Sequence, residues 1–525
     1  MRKTNIYRVL ITLLTTLFST LCVSFSHAQT PDSALTRLLK DYISDLKPTL
    51  DKEKAEIYLY VKSLDHAAPV FSLGADSMIH MASVQKLFIT YVSLKNLGSE
   101  YRFPTEFFTD FLPRDRDPRI DIAGGLEARI KVPDNSLGNL YVRAYGDPLM
   151  QYEHMQLIAR ELKARGLNGV QDLVVDDTLF LEPSTPSGED PYQAAQSATS
   201  LEFNCYRIQV SPSASGLSPI IQGGPGLFGK IENKAKTLSG KGSSLAVTQS
   251  PSNDLFPRIV KSGVVKPTPL QLVVDGRIGI NDPLWEKYHT HPEPFLYYIL
   301  SLKKALEQEG LRINGLLRRG TIPANSNLFY TFESEPLYSI LARLNRVSSN
   351  FIAGQLLYAI GQNKNGIFSQ VSGLTNLSEE IKNVAGSESD GMKLFDASGL
   401  SPENRISPVL VSRILEASYK DPGIFPVFAS SLSRFGQSGT LVSRDLLDEK
   451  RFPSVKTSIF LDQKSRSEGV WAKTGTVDGL SGVAGYLDRD QGFKMTFVIV
   501  IKGMPEKSRA VAIEDDIVRI LLGIN

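Results

Sequence analysis

Cysteine is nearly absent from this sequence, since Cys22 and Cys205 are the only two in 525 residues. Cys22 lies in an apolar run near the N-terminus, and a chain that loses this run keeps one thiol. An intramolecular disulfide is then excluded. The hydrophobic content of 42% is ordinary for a globular protein, and a chain of this length can bury a large apolar surface. We therefore expect its stability to come from packed cores.

An excess of charge of one sign is also lacking. The sequence has 58 Lys and Arg against 56 Asp and Glu, a net charge of +2, and no basic patch, so nucleic acid is not an expected partner. The pattern H-E-x-x-H is absent, which argues against a zinc peptidase. His289-Thr290-His291 could supply two metal ligands, but an exposed polar loop is the favoured interpretation, and no metal is predicted.

Long apolar runs are confined to the N-terminus. Residues 9–25 form such a run after three basic residues, and Ser26 and Ala28 offer small side chains at a cleavage site. This pattern predicts a signal peptide over 1–28 and export to the periplasm or another extracytoplasmic location. An uncleaved membrane anchor is the alternative, although the run is short and contains polar residues.

Membrane attachment after cleavage is expected to be loose at most. Nothing after Ala28 resembles a membrane span, and the last helical segment is not notably basic. Lipidation of Cys22 is not expected, because Leu21 is too bulky for the usual lipoprotein cleavage site.

Apolar spacing divides the remaining chain into three parts. Residues 29–104 begin with helical spacing over 31–51, followed by alternation typical of strands and a helix that starts near Ser83. Residues 105–290 are rich in turn residues and short alternating runs, which predict an inserted, strand-rich region. Those runs are 128–132, 139–144, 173–176, 206–210, 244–247 and 270–274.

Helical spacing returns in the third part, 291–525. Residues 470–501 then alternate as antiparallel strands joined by a turn at 488–492, and 507–522 form a closing helix. The predicted fold class is α+β, in which an antiparallel sheet is flanked by helices and the domain is split by the strand-rich insertion.

A candidate nucleophile and base lie at Ser83 and Lys86, at the start of an apolar helical pattern. Residues at i and i+3 share a helix face, so the Lys86 amine can reach the Ser83 hydroxyl and activate it for acyl transfer. The motif S-x-x-K also occurs at Ser44 and Ser301, so on its own it is weak.

Two further polar motifs follow, and each is weak alone. Ser348-Ser349-Asn350 is typical of a turn or a helix start, whereas Lys473-Thr474-Gly475-Thr476 lies in a predicted strand. Alternation places Lys473 and Gly475 on one face of that strand. A glycine there is expected to let a substrate backbone approach closely.

In the order S-x-x-K, S-x-N, K-T-G, the three motifs are those of the penicillin-recognising serine acyl enzymes. The chain resembles, more closely, the low-molecular-mass class C penicillin-binding proteins of the D-alanyl-D-alanine carboxypeptidase/endopeptidase type. Besides the three motifs, the resemblance rests on Gly146-Asp147-Pro148, Leu173-Val174-Val175-Asp176-Asp177, Ser200-Leu201-Glu202-Phe203-Asn204, Asp396-Ala397-Ser398-Gly399-Leu400-Ser401, Gly439-Thr440-Leu441 and Gly485-Tyr486. It implies a transpeptidase-like domain that carries an insertion between the first two motifs.

The resemblance also implies a mechanism without metal or organic cofactor. In it, Ser83 attacks a D-Ala-D-Ala bond of a peptidoglycan stem peptide, Lys86 takes its proton, and Ser348 relays that proton to the leaving amine. The remaining implied roles are binding of the substrate amide by Asn350, positive charge from Lys473, a close strand approach at Gly475, and binding of the terminal carboxylate by Thr474 and Thr476. β-Lactam antibiotics are the implied inhibitors.

The sequence departs from the family pattern in four places. Ser349 stands where an acidic residue is usual, Arg346 follows Asn345 in place of lysine, and Ala353-Gly354 replaces an Ala-Glu pair. The tryptophan-rich loop usual before the Ser200 segment is replaced by a segment at 189–192. Recognition of the substrate side chain is the property that these departures affect most.

Two alternative functions stay open at the level of sequence. A β-lactamase shares the acylation chemistry, but no E-x-x-L-N motif lies between Asn350 and Lys473. A catalytically inactive cell-wall binding protein of the same fold is the alternative outside enzymology. Carboxypeptidase and endopeptidase activities both break D-Ala amide bonds, and the sequence does not favour either.

Overall fold

The structure of the protein is a computed structural model, which describes residues 33–110, 138–224, 227, 229–249, 263–265, 270–444, 446, 469–488 and 493–523. The predicted signal peptide, the predicted strand at 128–132 and residues 489–492 of the predicted turn lie outside these ranges.

The helices of the described ranges are α1 (Ser33–Glu53), α2 (Lys86–Leu97), α3 (Tyr152–Ala164), α4 (Pro294–Gln308), α5 (Leu337–Val347), α6 (Asn350–Ile360), α7 (Gln370–Ala385), α8 (Pro408–Lys420), α9 (Phe425–Ser431) and α10 (Lys507–Leu522). None of the helices in this part of the chain combines the length and apolar character that crossing a membrane requires.

The strands are β1 (Glu56–Ser63), β2 (Pro69–Leu73), β3 (Pro104–Thr109), β4 (Leu140–Ala144), β5 (Gly169–Val170), β6 (Leu173–Asp176), β7 (Cys205–Ser211), β8 (Ile220–Gly223), β9 (Gly229–Asn233), β10 (Lys236–Leu238), β11 (Ser244–Gln249), β12 (Leu270–Gly279), β13 (Trp285–Thr290), β14 (Arg312–Ile313), β15 (Leu317–Arg319), β16 (Asn327–Glu333), β17 (Ser433–Arg434), β18 (Val470–Val477), β19 (Leu480–Asp488) and β20 (Phe493–Lys502).

One compact unit contains the described residues of Met1–Val84, Ile406–Glu416 and Ser433–Asn525. Its sheet has the order β17-β18-β19-β20-β1-β2, and every pair in it is antiparallel. The two ends of the chain meet at the pairing of β20 with β1, where Glu56 lies opposite Lys502.

Helices α1 and α10 pack against this sheet and share its apolar core. The core draws Leu39 from α1, Ile517 from α10 and Val483 from the central strand β19, all of them without solvent exposure. The α+β class, with an antiparallel sheet flanked by helices, is therefore confirmed.

The second compact unit contains the described residues of Gln85–Arg405 and Ala417–Leu432. Helices α2, α5, α6, α7 and α9 contact one another within it. A five-stranded sheet of the order β15-β6-β4-β3-β16 shares an apolar core with α3 and α4. The short strands β7 to β13 form two further sheets.

Strands beyond residue 290, the predicted end of the insertion, pair with strands before it. Strand β15 pairs with β6 and β16 pairs with β3. Helix α4 packs on α3 in the same region. Helical spacing in 294–308 predicts a helix correctly but does not identify the sheet that the helix covers. The strand pairing continues to Glu333, and the boundary at 290 stays a prediction.

Candidate active site

Ser83 lies in a short 3-10 helix, Ala82–Gln85, that runs directly into α2. Its neighbours Met81, Ala82 and Val84 are fully buried, whereas Ser83 is partly exposed. The amide of Val84 donates to the carbonyl of Met81 at 3.2 Å and closes the turn. Ser83 thus lies in a turn of buried apolar neighbours at a helix N-terminus, a position that favours developing negative charge.

Gly475 on β18 packs against this turn. A Cβ atom at residue 475 would lie 2.7 Å from the carbonyl oxygen of Met81, 2.8 Å from the amide nitrogen of Val84 and 3.0 Å from that of Ser83. The space on this side of the strand is therefore taken by the Ser83 turn, and the close approach of a substrate backbone at Gly475 stays a prediction. Glycine is required here for the protein's own backbone.

Lys473 and its neighbours alternate on β18 as predicted. Lys473 has no solvent exposure, Thr474 is partly exposed, and Thr476 is exposed. The Lys473 Nζ donates to the carbonyl of Thr474 at 2.6 Å. The Thr474 hydroxyl donates to the Thr440 hydroxyl at 2.7 Å, so this strand presents hydroxyl groups beside a buried cation.

Lys86, the first residue of α2, is fully buried. Its Nζ donates to Asn350 Oδ1 at 2.7 Å and to the carbonyl of Ser398 at 2.6 Å. Burial lowers the pKa of Lys86 to about 7, although the charge of Asp396 opposes this shift. A substantial share of neutral amine is therefore present near neutral pH, which a general base requires.

Asp396 organises the loop that supplies the Ser398 carbonyl. Its Oδ1 accepts hydrogen bonds from the amides of Ser398 at 2.7 Å and Gly399 at 2.6 Å, and its Oδ2 accepts from the amide of Ser401 at 2.6 Å. Burial raises the pKa of Asp396, but these hydrogen bonds outweigh it and hold the pKa below the usual range. Asp396 is thus an anion that fixes its own loop.

Ser348 and Asn350 lie at the corner between α5 and α6. Ser348 caps α5 in the left-handed region with φ 57°, and its amide donates to the carbonyl of Leu344. The Ser349 hydroxyl caps α6 by accepting from the amide of Ile352 at 3.2 Å. This role explains a short polar residue at 349, because serine and aspartate both serve as helix N-caps.

Asn345 fixes the same corner to α2. Its side-chain amide donates to the Thr90 hydroxyl at 3.1 Å and to the Ser431 hydroxyl at 2.8 Å. Thr90 in turn donates to the carbonyl of Lys86 at 2.8 Å. The helix that begins with Lys86 and the corner that carries Ser348 are therefore linked through buried hydrogen bonds.

Helix α6 also contacts the inserted region. A Cβ atom at Gly354 would lie 2.6 Å from the side chain of Gln196, so the Ala353-Gly354 departure provides space for this loop. The next residue, Gln355, donates to the carbonyls of Gly146 at 2.8 Å and Ser197 at 3.0 Å. The inserted region thus contacts the helix that begins with Asn350 through these hydrogen bonds.

The two histidines do not form the exposed loop that the sequence predicts. His289 and His291 are buried and stack on Tyr206 and Tyr297 respectively. Burial lowers the pKa of His289 to about 4 and that of His291 to about 3. In the described ranges, no group of three or more His, Cys, Asp or Glu side chains could hold a metal ion.

The predicted site residues fall into two sets that follow the compact units. Ser83, Lys473, Thr474, Gly475 and Thr476 belong to the first unit, and Lys86, Ser348 and Asn350 to the second. The structure brings the Ser83 turn to Gly475 and the Lys86 amine to Asn350.

Three residues that take part in these contacts have no role predicted from the sequence. Asp396 and Ser398 lie in the Asp-Ala-Ser-Gly-Leu-Ser segment, and Thr440 in Gly-Thr-Leu. Both segments carry the resemblance to the family, which was the available signal. Spacing could not supply the roles, because these residues act through folded loops and not through a shared helix or strand face.

The sequence pattern of the D-Ala-D-Ala carboxypeptidase 3 (S13) family matches residues 35–522. A D-alanyl-D-alanine carboxypeptidase of Actinomadura sp. (strain R39) is 24% identical over 453 residues, which cover 83% of this chain and 75% of the relative. The D-alanyl-D-alanine carboxypeptidase DacB of Haemophilus influenzae is 23% identical over 479 residues, 88% of each chain.

Among solved structures, penicillin binding protein 4 (dacB) from Haemophilus influenzae superposes with a TM-score of 0.70 at 19% identity. The match covers 91% of this chain and 99% of that one. Another structure of that protein, complexed with a β-lactam, has a TM-score of 0.67. These likenesses confirm the fold.

Proposed function

Because the chain belongs to the D-Ala-D-Ala carboxypeptidase 3 (S13) family, we propose that it cleaves peptidoglycan through an acyl-enzyme on Ser83. It is a serine-type D-Ala-D-Ala carboxypeptidase that binds penicillin, a low-molecular-mass class C penicillin-binding protein. Ser83 as the nucleophile, and the residues that assist it, are the parts of this proposal that remain to be tested.

The observation that carries the proposal is the Lys86 amine. It is buried, it bonds two neutral oxygen acceptors, and it follows Ser83 by three residues in a continuous helical segment. A serine hydroxyl needs a base to become nucleophilic, and a lysine can be that base only when its pKa is lowered. Burial supplies that condition at Lys86.

In the acylation step, the Ser83 Oγ forms a bond to the carbonyl carbon between the two D-alanines. Its proton passes to Lys86, and Ser348 relays a proton to the departing amine as the C–N bond breaks. Amide N–H groups of Ser83 and Thr476 stabilise the oxyanion. Water then hydrolyses the ester and regenerates the Ser83 hydroxyl.

The other residues are assigned to the substrate. Asn350 holds the substrate amide, and Lys473 supplies positive charge. Thr474 and Thr476 bind the terminal carboxylate through their hydroxyls, and Gly475 keeps the strand close to the Ser83 turn. The buried position of Lys473 and the exposure of Thr476 support this division.

The substrate class is the peptidoglycan stem peptide, and the reactions are removal of the terminal D-alanine and cleavage of D-Ala cross-links. Such substrates lie outside the cytoplasm. The signal-peptide pattern of 1–28 supports export to the periplasm or an equivalent compartment.

The test is intact-protein mass spectrometry after incubation with benzylpenicillin. Wild-type protein is expected to gain the mass of the drug, and Ser83→Ala is expected not to. Ser44→Ala is a matched control, because Ser44 and Lys47 form the same S-x-x-K motif within α1 and the variant should react like wild type. Release of D-alanine from a pentapeptide substrate then measures turnover.

Two results would contradict the proposal. Rapid hydrolysis of the drug without a persistent adduct would favour a β-lactamase. Absence of an adduct and of D-alanine release from the wild type would favour the inactive cell-wall binding protein.

A further inference from the structure

We propose that Asp396 is a positioning residue for the Lys86 base, because its carboxylate folds the 396–401 loop so that the Ser398 carbonyl holds the Lys86 amine. This inference rests on the proposed function and deepens it. Asp396 has no step of its own in the proposed scheme. Its effect on the reaction would pass through Lys86.

The geometry at the Lys86 nitrogen defines what must be positioned. A neutral amine has two N–H bonds and one lone pair, and it can act as a base only through the lone pair. The two bonds, to Asn350 Oδ1 at 2.7 Å and the Ser398 carbonyl at 2.6 Å, engage two N–H groups. Two fixed acceptors therefore fix the direction of the third tetrahedral position, which carries the lone pair or the added proton.

Different interactions hold the two acceptors in place. Asn350 is the first residue of α6, and its helix is capped and packed. The Ser398 carbonyl belongs to a loop without helix or strand structure, so another interaction has to fix its direction. The Asp396 carboxylate supplies it.

Asp396 closes the loop from within. Its Oδ1 accepts from the amides of Ser398 and Gly399 and from the Ser398 hydroxyl at 2.9 Å. Its Oδ2 accepts from the amide of Ser401 and, at 3.3 Å, from the side chain of Asn404. Converging amide N–H groups of this kind form a concave site for an anion, and the carboxylate of the loop's own first residue fills it.

A second contact ties the loop to the start of α2. The side-chain amide of Gln85, next to Lys86 in the chain, donates to the carbonyl of Asp396. Gln85 is fully buried. The loop therefore makes two hydrogen bonds to this part of the chain. The Asp396 carbonyl accepts from Gln85, and the Ser398 carbonyl accepts from Lys86.

The charge of Asp396 makes the positioning role measurable. Burial lowers the pKa of Lys86 and the Asp396 charge raises it, so removal of the charge should lower that pKa further. The other cation assigned to this chemistry, Lys473, and the neutral groups Asn350 and Ser348 are unchanged when only residue 396 is replaced. The pH profile therefore reports the charge of Asp396, and the rate at the optimum reports how well the Ser398 carbonyl is held.

The test compares Asp396→Asn with wild type in the rate of acylation by benzylpenicillin, measured from pH 5 to 9. We expect a rate at least about tenfold lower at the optimum, because the base loses a fixed acceptor. We also expect the acid limb of the profile to move to lower pH. Asp282→Asn is the matched control, because the Asp282 carboxylate likewise accepts from backbone amides, that of Gly279 in its own turn and that of Gly242 in a neighbouring loop.

Asp396→Glu separates charge from shape, since it keeps the anion but lengthens the side chain. Its rate is expected to fall while its acid limb stays at the wild-type pH. Full activity of either variant, or an equal loss at every pH in Asp396→Asn, would overturn the inference. Circular dichroism establishes that each variant is folded. A wild-type protein that forms no adduct would instead contradict the proposed function itself.

Discussion

Replacement of Gly475 by alanine should disturb the Ser83 turn directly. The added methyl group would meet two backbone atoms at less than 3.0 Å, the Met81 carbonyl oxygen and the Val84 amide nitrogen. Neither atom belongs to a flexible side chain, so the collision can be relieved only if the strand or the turn moves. The turn carries the proposed nucleophile, and a shift of either element changes the position of Ser83 relative to β18.

The size of the effect follows from the overlap. Real Cβ contacts are essentially never shorter than 3.0 Å, and forcing an extra carbon into a packed interior costs about 1–3 kcal/mol. A movement of about 1 Å at a reacting group can reduce the rate about 100-fold. We therefore expect a modest loss of stability and a much larger loss of activity.

The assay is the second-order rate of acylation by benzylpenicillin together with the thermal melting curve. Gly224→Ala is the control, because a Cβ atom at 224 would lie 3.6 Å or more from its neighbours. That variant should match wild type in both measurements. An acylation rate of Gly475→Ala within a factor of two of wild type would refute the reasoning, since it would mean that the turn absorbs the methyl group without moving Ser83.

Two predictions concern buried charge. Arg444 donates to Asp515 at 2.7 Å and to Glu514 at 2.8 Å, and both carboxylates are fully buried. Arg444→Met should therefore destabilise the protein by about 3–5 kcal/mol, because it leaves two buried carboxylates without their cation. Chemical denaturation measures the loss, and a value below about 1 kcal/mol would contradict this prediction. Burial raises the pKa of Asp147 to about 7, so the folded state binds more protons than the unfolded state between about pH 4 and 7, and the contribution of Asp147 to stability should fall as pH rises through that window. Asp147→Asn should therefore be more stable than wild type at pH 8, by up to about 4 kcal/mol. The difference should disappear at pH 4, and thermal melting at the two pH values measures it.

Regular local structure could be predicted well from the sequence. The helix predicted over 31–51 is observed as Ser33–Glu53, and the first two strands are observed as Glu56–Ser63 and Pro69–Leu73. Alternation also predicts that Lys473 and Gly475 share one face of β18, and both are buried. In each case the pattern is a property of one element with one buried face, which is the information that apolar spacing carries.

Contacts between distant segments could not be predicted in this way. Spacing identified helix α4 but not the sheet beneath it, to which β15 and β16 also belong. It identified Gly475 as a position of close approach but not the backbone that approaches, which is the Ser83 turn. His289 is buried against Tyr206, which lies opposite it on the paired strand β7. No local pattern in the sequence indicates this pairing.

The buried lysines show why the S-x-x-K motif alone does not identify Lys86 as a base. In the described ranges, Lys62, Lys86 and Lys473 are buried. Lys62 bonds the carboxylate of Glu416 at 2.7 Å, and breaking such a buried pair is costly. The Lys86 amine instead bonds two neutral oxygens, while the nearby anion, Asp396, is itself bound by amide groups. Burial lowers the pKa of Lys86 against the opposing charge of Asp396 and makes loss of the Lys86 proton easier. The same residue type at similar depth thus serves structure in one place and can serve as a base in another, and the difference lies in the acceptors that the fold places around it.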